Sequence, residues 1–176
     1  MPVEVPTFGE LIAATKASAV HLEMRDWYAA QAESQAFARW QADRQPRTTD
    51  ADRASRREWL DLVRTAIARG VVIRRARIVS EPVSEYIRFE WAGTPLNIEA
   101  GEQVSWLPRR RASDLCLPGN DFWAFDERLV RFHHFSGEGG IVEDELVADP
   151  AVVKLCLAAF ESVWERAIPH AEYRLA

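Results

Sequence analysis

The order of apolar and polar positions divides the chain into a helical first third and an alternating remainder. Thr7-Phe8-Gly9-Glu10 has the hydroxyl and the carboxylate of a capping box, placed to satisfy orphan N–H groups reciprocally. Phe8, Leu11, Ile12 and Thr15 then follow at helical spacing. From Val20 to Met24 the period falls to two, Val20, Leu22 and Met24 alternating with His21, Glu23 and Arg25, which predicts a short strand or extended link. Asp26 is placed to cap a second helix reaching Ala42, with Trp27, Tyr28, Phe37 and Trp40 as its bulky residues. Gln31, Ser34 and Gln35 break its apolar stripe, so it should be partly exposed. Gln45 to Asp52 is polar, holds Pro46 and reads as a loop. A third helix runs to Arg69 with Trp59, Leu62, Val63, Ala66 and Ile67 on one face, and Gly70 follows as the natural residue for a left-handed helix end.

Beyond Gly70 the period is that of strands and then of alternating strands and helices. Val71 to Val79 is strand-like but interrupted by Arg74-Arg75-Ala76-Arg77. Ser80 is placed to cap the next helix, with Pro82 in its first turn and Val83, Tyr86, Ile87 and Trp91 on its buried side. Gly93 to Gly101 contains Pro95 and Asn97 and reads as a loop, and Gln103 to Leu107 as a strand ended by Pro108. Pro118-Gly119-Asn120 is a turn signal; Phe122–Phe125 and Leu129–Phe135, joined by Asp126-Glu127, predict a hairpin. A further extended piece, Ile141 to Val147, follows the glycine-rich link 137–140. Asp149-Pro150 opens a last helix in which Val153, Cys156, Phe160, Val163 and Ala167 recur every three or four residues. The expectation is one α/β domain over residues 1–176, with α+β as the alternative. Residues 1–69 would be mainly helical, and 70–176 would carry a small mixed sheet in the order strand, helix, strand, hairpin, helix.

Composition narrows the class. A chain of 176 residues, 48% hydrophobic with seven Trp and eight Phe, is that of a globular protein. Residues 1–10 have no basic leader segment, and no stretch approaches the roughly 20 apolar residues of a membrane span, so a soluble, cytoplasmic protein is expected. The net charge of −5 argues against direct nucleic-acid binding, which needs a surplus of cations to neutralise phosphates. Lys16 and Lys154 are the only lysines, a skew that a GC-rich genome produces, although arginine is also the better fork for carboxylate and phosphate. Cys116 and Cys156, both in apolar runs, are expected as packed free thiols.

Candidate chemistry is sparse. His133 and His134 are adjacent on a strand and point to opposite faces, with no further ligand at metal-motif spacing. Glu138, Glu143, Asp144, Glu145 and Asp149 lack the alternating pattern of a calcium loop and read as a solvated rim. Arg109-Arg110-Arg111 could grip an anion. The sequence holds neither a glycine-rich phosphate loop nor a nucleophile elbow, so no catalytic residue, metal or cofactor is assigned. The segment from Asp121 to Asp126 is the most distinctive. Alternation puts Asp121, Trp123 and Phe125 on one face and Phe122, Ala124 and Asp126 on the other, and acids are depleted from strands. In the helix from Pro82 to Trp91, Ser84 and Arg88 lie one turn apart, as do Tyr86 and Glu90; Glu85 and Arg88 are spaced for a surface pair.

These same stretches carry a resemblance. His21-Leu22-Glu23 with Asp26 and Tyr28, Arg75-Ala76-Arg77-Ile78-Val79, Pro82 to Glu90, Ala100-Gly101-Glu102 and Asp121 to Asp126 resemble an actinobacterial domain-of-unknown-function family. The likeness spans nearly the whole chain and implies members often encoded near XRE-type helix-turn-helix regulators. In fold, the element order from Val71 to Ala167 is similar to one half of a phospholipase D-like domain, whose His-x-Lys-x4-Asp motif carries a nucleophile and its charge partners. Aligning that aspartate with Asp126 puts Gly119 at the histidine and Asp121 at the lysine, which implies a degenerate copy.

The leading expectation is a non-catalytic regulatory or accessory module that binds a small ligand or a protein partner, beside a separate helix-turn-helix regulator. The candidate surface combines Arg77, Tyr86, Arg88, Asp121, Trp123 and Asp126: arginines for an anion, aromatics for an apolar wall, acids to orient polar groups. A hydrolase using Asp121 or Asp126 with a histidine is the alternative, and a protein-interaction partner such as a toxin–antitoxin component the third reading. A homodimer follows from the phospholipase D-like analogy alone.

Overall fold

The computed structural model describes residues 5–29 and 31–176. Residues 1–4, part of the N-terminal segment read above as lacking a leader, lie outside the described residues. In chain order the elements are α1 (Phe8–Ala14), β1 (Ser18–Glu23), α2 (Gln31–Asp43), α3 (Asp50–Ser55), α4 (Arg57–Ala68), β2 (Val72–Val79), α5 (Glu85–Glu99) and β3 (Gln103–Pro108). A 3₁₀ turn at Arg109–Ala112, β4 (Phe122–Phe125), β5 (Leu129–Phe135), β6 (Ile141–Val147), α6 (Pro150–Trp164) and β7 (Ile168–Pro169) complete the chain. The strands form one mixed sheet in the order β6-β5-β4-β1-β2-β3-β7, in which β1, β2 and β3 run parallel and the other pairs antiparallel. Parallel neighbours need crossovers, and the helices supply them, so the fold is mixed α/β. Among the described residues no helix is long and apolar enough to cross a membrane.

Strand alternation sends each side chain to one of two unlike faces. On the first, Val20, Leu22, Ala76, Ile78, Phe122, Ala124 and Val130 pack against Val153, Cys156, Phe160 and Val163 of α6. The second face is covered in two patches. Leu11, Ile12, Leu60 and Val63 from α1 and α4 cover Ala19, Ile73, Trp123 and Phe125, while Trp40, Tyr86 and Phe89 from α2 and α5 join Val79, Val104 and Trp106. Along β2 this second face reads Ile73, Arg75, Arg77, Val79, so two buried arginines occupy the interval between the patches. The basic run therefore does not interrupt the strand. Arg74 turns to the α6 face, where its Nη2 meets Glu161 Oε1 at 2.6 Å, and Arg75 and Arg77 turn to the other.

The local signals hold where a side chain closes its own turn. Thr7 and Glu10 form the capping box of α1, Asp149 caps α6 ahead of Pro150, and Gly70 ends α4 at φ 91°. Asp126 and Glu127 take φ of 49° and 56°, the paired positive values of a type I′ hairpin turn. The signals fail where a distant partner competes. Asp26 caps no helix; its carboxylate accepts from Ser80 N at 2.7 Å and Ser80 Oγ at 2.6 Å and pairs with Arg109. Ser84, accepting from Ile87 N at 3.1 Å, caps α5 in place of Ser80. The expected third helix is two, α3 beginning inside the predicted loop on a Thr49–Asp52 capping box. The expected loop from Gly93 is helical to Glu99 despite Pro95. There the arginines of the facing segment bind the helix: Arg47 Nη1 donates to Phe89 O at 3.2 Å and Arg56 Nη1 to Gly93 O at 2.9 Å. Glu85 pairs with Arg44 rather than Arg88, and Cys116 is exposed whereas Cys156 is buried.

Asp126 ties the hairpin to the start of β1, its carboxylate accepting from the N–H groups of Lys16, Ala17 and Ser18 at 2.9, 2.7 and 3.1 Å. Burial pushes this carboxyl up, but the three N–H donors outweigh it and hold the group below the usual carboxylate range. Asp126→Ala is expected to cost about 1–3 kcal/mol at neutral pH. A depressed acid stabilises the fold above its unfolded pKa and loses that contribution as the pH falls, so the deficit in urea unfolding should close below a pH of about 4.

Candidate functional site

Sheet register builds the floor of a cleft on the second face. β1 and β2 set His21 beside Arg75 and Glu23 beside Arg77; β4 sets Trp123 beside His21; β6 sets Asp144 beside His133 of β5. The cleft above them measures about 1490 Å³ and is walled by Phe8, Trp59, Tyr86 and Trp123. Phe8 stacks on Trp59 at 4.8 Å between ring centroids, and His21 on Trp123 at 4.2 Å.

The floor is an ion network taken out of water. Glu23 receives Arg75 Nη1 on Oε1 and Arg77 Nε on Oε2. Arg75 Nε also donates to Glu102 Oε1 at 2.6 Å, and Glu102 Oε2 receives Asn97 Nδ2 at 2.6 Å. Arg77 is saturated, with Nη2 on Glu90 Oε2 at 2.9 Å and Nη1 on Thr94 Oγ1 at 3.2 Å. Burial alone would raise the Glu23 carboxyl, but Arg77 and Arg75 hold it well below the usual range. Burial would likewise lower Arg77, and Glu23 and Glu90 hold it above the ordinary guanidinium value. Both groups are therefore charged at neutral pH, their desolvation offset by close partners.

At the β4 end lies Asp121, 2% exposed. Its Oδ1 accepts Met24 N at 2.9 Å, its Oδ2 accepts the Tyr28 hydroxyl, and its backbone oxygen accepts His133 N at 2.9 Å. Burial, helped by the charge of Glu23 and opposed by the hydrogen bonds from Tyr28 and Met24, raises its carboxyl to about 6. His133 Nδ1 meets Asp144 Oδ1, which Arg131 braces. Burial lowers both His21 and His133, so both imidazoles are neutral bases at pH 7. Across the cleft, Tyr86 donates to Glu33 Oε2 at 2.7 Å. Four buried polar atoms of the lining residues have no hydrogen-bond partner among the described residues: His21 Nδ1, Arg47 Nε, Trp59 Nε1 and Glu90 Oε1. Among the described residues, no group of three or more His, Cys, Asp or Glu side chains is placed to hold a metal ion.

Residues 6–175 match the family described as "Domain of unknown function (DUF6879)". The chain belongs to that family. No curated protein matches the sequence. Two solved structures resemble most of the chain, the first of them in fold. One is Nuc, a phospholipase D family member from Salmonella typhimurium, with TM-score 0.50 and 11% identity over 94% of this chain and 88% of that one. The other is TrmBL2, an archaeal chromatin protein, with TM-score 0.49 and 14% identity over 91% of this chain and 48% of that one. At such identities the likeness is one of fold, and any function of this DUF6879 member has to be argued from the cleft itself.

Of the six residues singled out in the sequence, Arg77, Tyr86, Asp121 and Trp123 line the cleft together. The other two lie elsewhere. Arg88 leaves the cleft for the C-terminus, where its Nη2 donates to Ala176 O at 3.3 Å, and Asp126 is spent on the β1 backbone at the far end of the hairpin. Sequence reasoning missed Glu23, Arg75, Glu90 and Glu102, although a period-two reading carried through the basic run would have put Arg75 and Arg77 on one face. Glu90, one turn after Tyr86, was also within reach of that logic. Arg47 and Arg56 arrive from the α2–α4 segment with no local pattern to mark them, and Trp59, legible as part of an apolar helix face, carries no sign of a site.

Proposed function

We propose that this protein is a non-catalytic accessory module that binds a small molecule in the cleft over β1, β2 and β4, and that it works beside a separate helix-turn-helix regulator. One observation carries the ligand reading: four buried polar atoms without a hydrogen-bond partner among the described residues, Arg47 Nε, Glu90 Oε1, Trp59 Nε1 and His21 Nδ1, belong to residues that line one aromatic-walled cleft. A buried donor or acceptor left unmade costs about 1–3 kcal/mol, and a bound molecule with matching groups recovers part of that. The non-catalytic part is supported by Gly119 and Asp121, which stand where the phospholipase D motif has its histidine and lysine; glycine cannot form a phosphohistidine. The regulator as partner is supported by the resemblance to a family encoded near XRE-type proteins.

A thermal-shift screen of small ring compounds, neutral and anionic, tests the ligand reading. A compound at about 100 times its Kd adds about 2.7 kcal/mol to stability. Hits should lose this effect in Trp59→Ala, and a screen whose hits are all indifferent to Trp59→Ala would reject the cleft. Affinity capture from the host, with recovery of a helix-turn-helix protein at near-equal stoichiometry, tests the partner.

A second reading rests on Asp121, with its carboxyl raised to about 6, beside His133 held through Nδ1 by Asp144. An acid raised toward neutrality beside a neutral imidazole suits general acid–base chemistry. Turnover of a phosphoester or ester panel that is abolished in a folded Asp121→Asn variant would replace the binding reading with this one.

A further inference from the structure

We infer that Arg47 and Arg56, set side by side over Gly93 of α5, form an oxyanion subsite of the cleft that takes the carboxylate or phosphate of a small molecule. The inference rests on the reading of the cleft as a ligand site and names the chemistry of one end of that ligand.

The two guanidinium groups meet where Gly93 lacks a side chain. A Cβ there would stand 2.8 Å from Arg47 Nη1, inside contact distance, and 3.5 Å from Arg56 Nη1, in ordinary contact, so the Arg47 fork occupies the space a side chain would fill and the Arg56 fork borders it. Like charges brought together out of water need counter-charge, and among the described residues Glu90, paired with Arg47, is the one carboxylate within 4 Å of either guanidinium. Arg56 donates to two neutral oxygens, Gly93 O at 2.9 Å and Asn97 Oδ1 at 2.6 Å. Arg47 donates to Phe89 O, and the nearest carboxylate oxygen, Glu90 Oε1, stands 3.6 Å from its Nη1. The other oxygen of Glu90 is taken by Arg77. Glu33 and Asp52, whose charges also reach Arg47, bond to the hydroxyls of Tyr86 and Thr49 and make no ion pair with it.

Arg47 is 8% exposed at its side chain, lines the cleft, and has no hydrogen-bond partner for Nε among the described residues. The Phe89 ring lies 3.3 Å from its guanidinium carbon and blocks one face, which leaves the edges of the fork for bonding. Burial leaves Arg47 and Arg56 both below the ordinary guanidinium value, in contrast to Arg75 and Arg77, which their glutamates hold above it. Trp59, whose buried Nε1 also has no hydrogen-bond partner among the described residues, lines the same cleft. Planar forks presenting parallel N–H donors are the geometry that recognises carboxylate and phosphate.

Isothermal titration of the full chain with inorganic phosphate, and separately with benzoate, tests this. The variants are Arg56→Gln and Gly93→Ala. Gly93→Ala places a methyl against Arg47 Nη1 while improving the helix propensity of the site, so the fold is kept and only the fork is displaced. The expected result is binding to the wild type that weakens about tenfold or more in each variant. Gly93→Ala should melt within a few degrees of the wild type, whereas Arg56→Gln also gives up its bonds to Gly93 and Asn97 and should melt lower. The tighter of the two anions tells a phosphate ligand from a carboxylate one. Absence of binding by the wild type to both anions at millimolar concentration would overturn the subsite, as would full affinity in Gly93→Ala. Neutral compounds that still bind in a Trp59-dependent way would then leave the cleft standing as a ligand site without this anion end.

Discussion

Glu23→Ala is expected to lower the unfolding free energy by about 3–5 kcal/mol, the range for removing one member of a buried ion group. The carboxylate receives both Arg75 and Arg77, whose side chains are 8% and 7% exposed, so its loss leaves two guanidinium charges facing each other without water. Glu102 and Glu90 then hold one arginine each, and neither spans the gap between the two. Replacing Glu23, Arg75 and Arg77 together by apolar residues of similar volume should not recover the loss, because the buried carboxylates of Glu102 and Glu90 then lose their arginines. Urea unfolding of the single and triple variants measures both effects. A Glu23→Ala penalty below about 1 kcal/mol, the value of exposed ion pairs, would mean that the floor of the cleft is wet.

The second large effect depends on pH. The Asp121 carboxyl is raised to about 6, so the folded chain holds this proton more tightly than the unfolded one. The contribution is therefore fully present below a pH of about 4 and is lost as the pH rises through about 6, a swing on the order of 3 kcal/mol. Asp121→Asn cannot ionise and should escape the swing. It keeps one side-chain oxygen for the Met24 N–H or the Tyr28 hydroxyl but not both, so it should be the less stable form at pH 4. From there to pH 8 it should gain on the wild type by about 3 kcal/mol. A difference that stays constant across this range would place Asp121 among ordinary, solvated acids.

The first effect arises where the sequence pattern is least informative, the second in a segment whose pattern stands out. Period-two alternation in β1 and β4, the hairpin at Asp126-Glu127, and the caps at Thr7, Asp149 and Gly70 are visible in the sequence because each depends on residues within a few positions. Periodicity reports which side chains are buried, however, and not what they are buried against. Arg75 and Arg77 look like an interruption of a strand because paired cations are normally exposed. Their partners Glu23 and Glu102 lie on β1 and just before β3, contacts that only the sheet order creates. Pro95 reads as a helix breaker for the same reason: what holds α5 together is Leu96 in the core and the arginines 47 and 56, which come from a segment with no marked pattern of its own. Asp26 was a sound N-cap candidate by its neighbours and was outcompeted by Ser80 and Arg109. Asp121 and Trp123 stood out correctly as a face of one strand, whereas Arg88 and Asp126 shared their segments without sharing their site.

The central claim, that a small molecule occupies the cleft, is tested most directly by proton–nitrogen spectra of the indole N–H groups. The chain has seven tryptophans, spread over both faces of the sheet. During titration with the ring compounds that stabilise the protein, the indoles of Trp59 and Trp123 should shift together and saturate. That of Trp164, stacked on Phe160 against the opposite face, should not move. Stabilising compounds that leave Trp59 and Trp123 unchanged, or that shift Trp164 instead, would contradict the account.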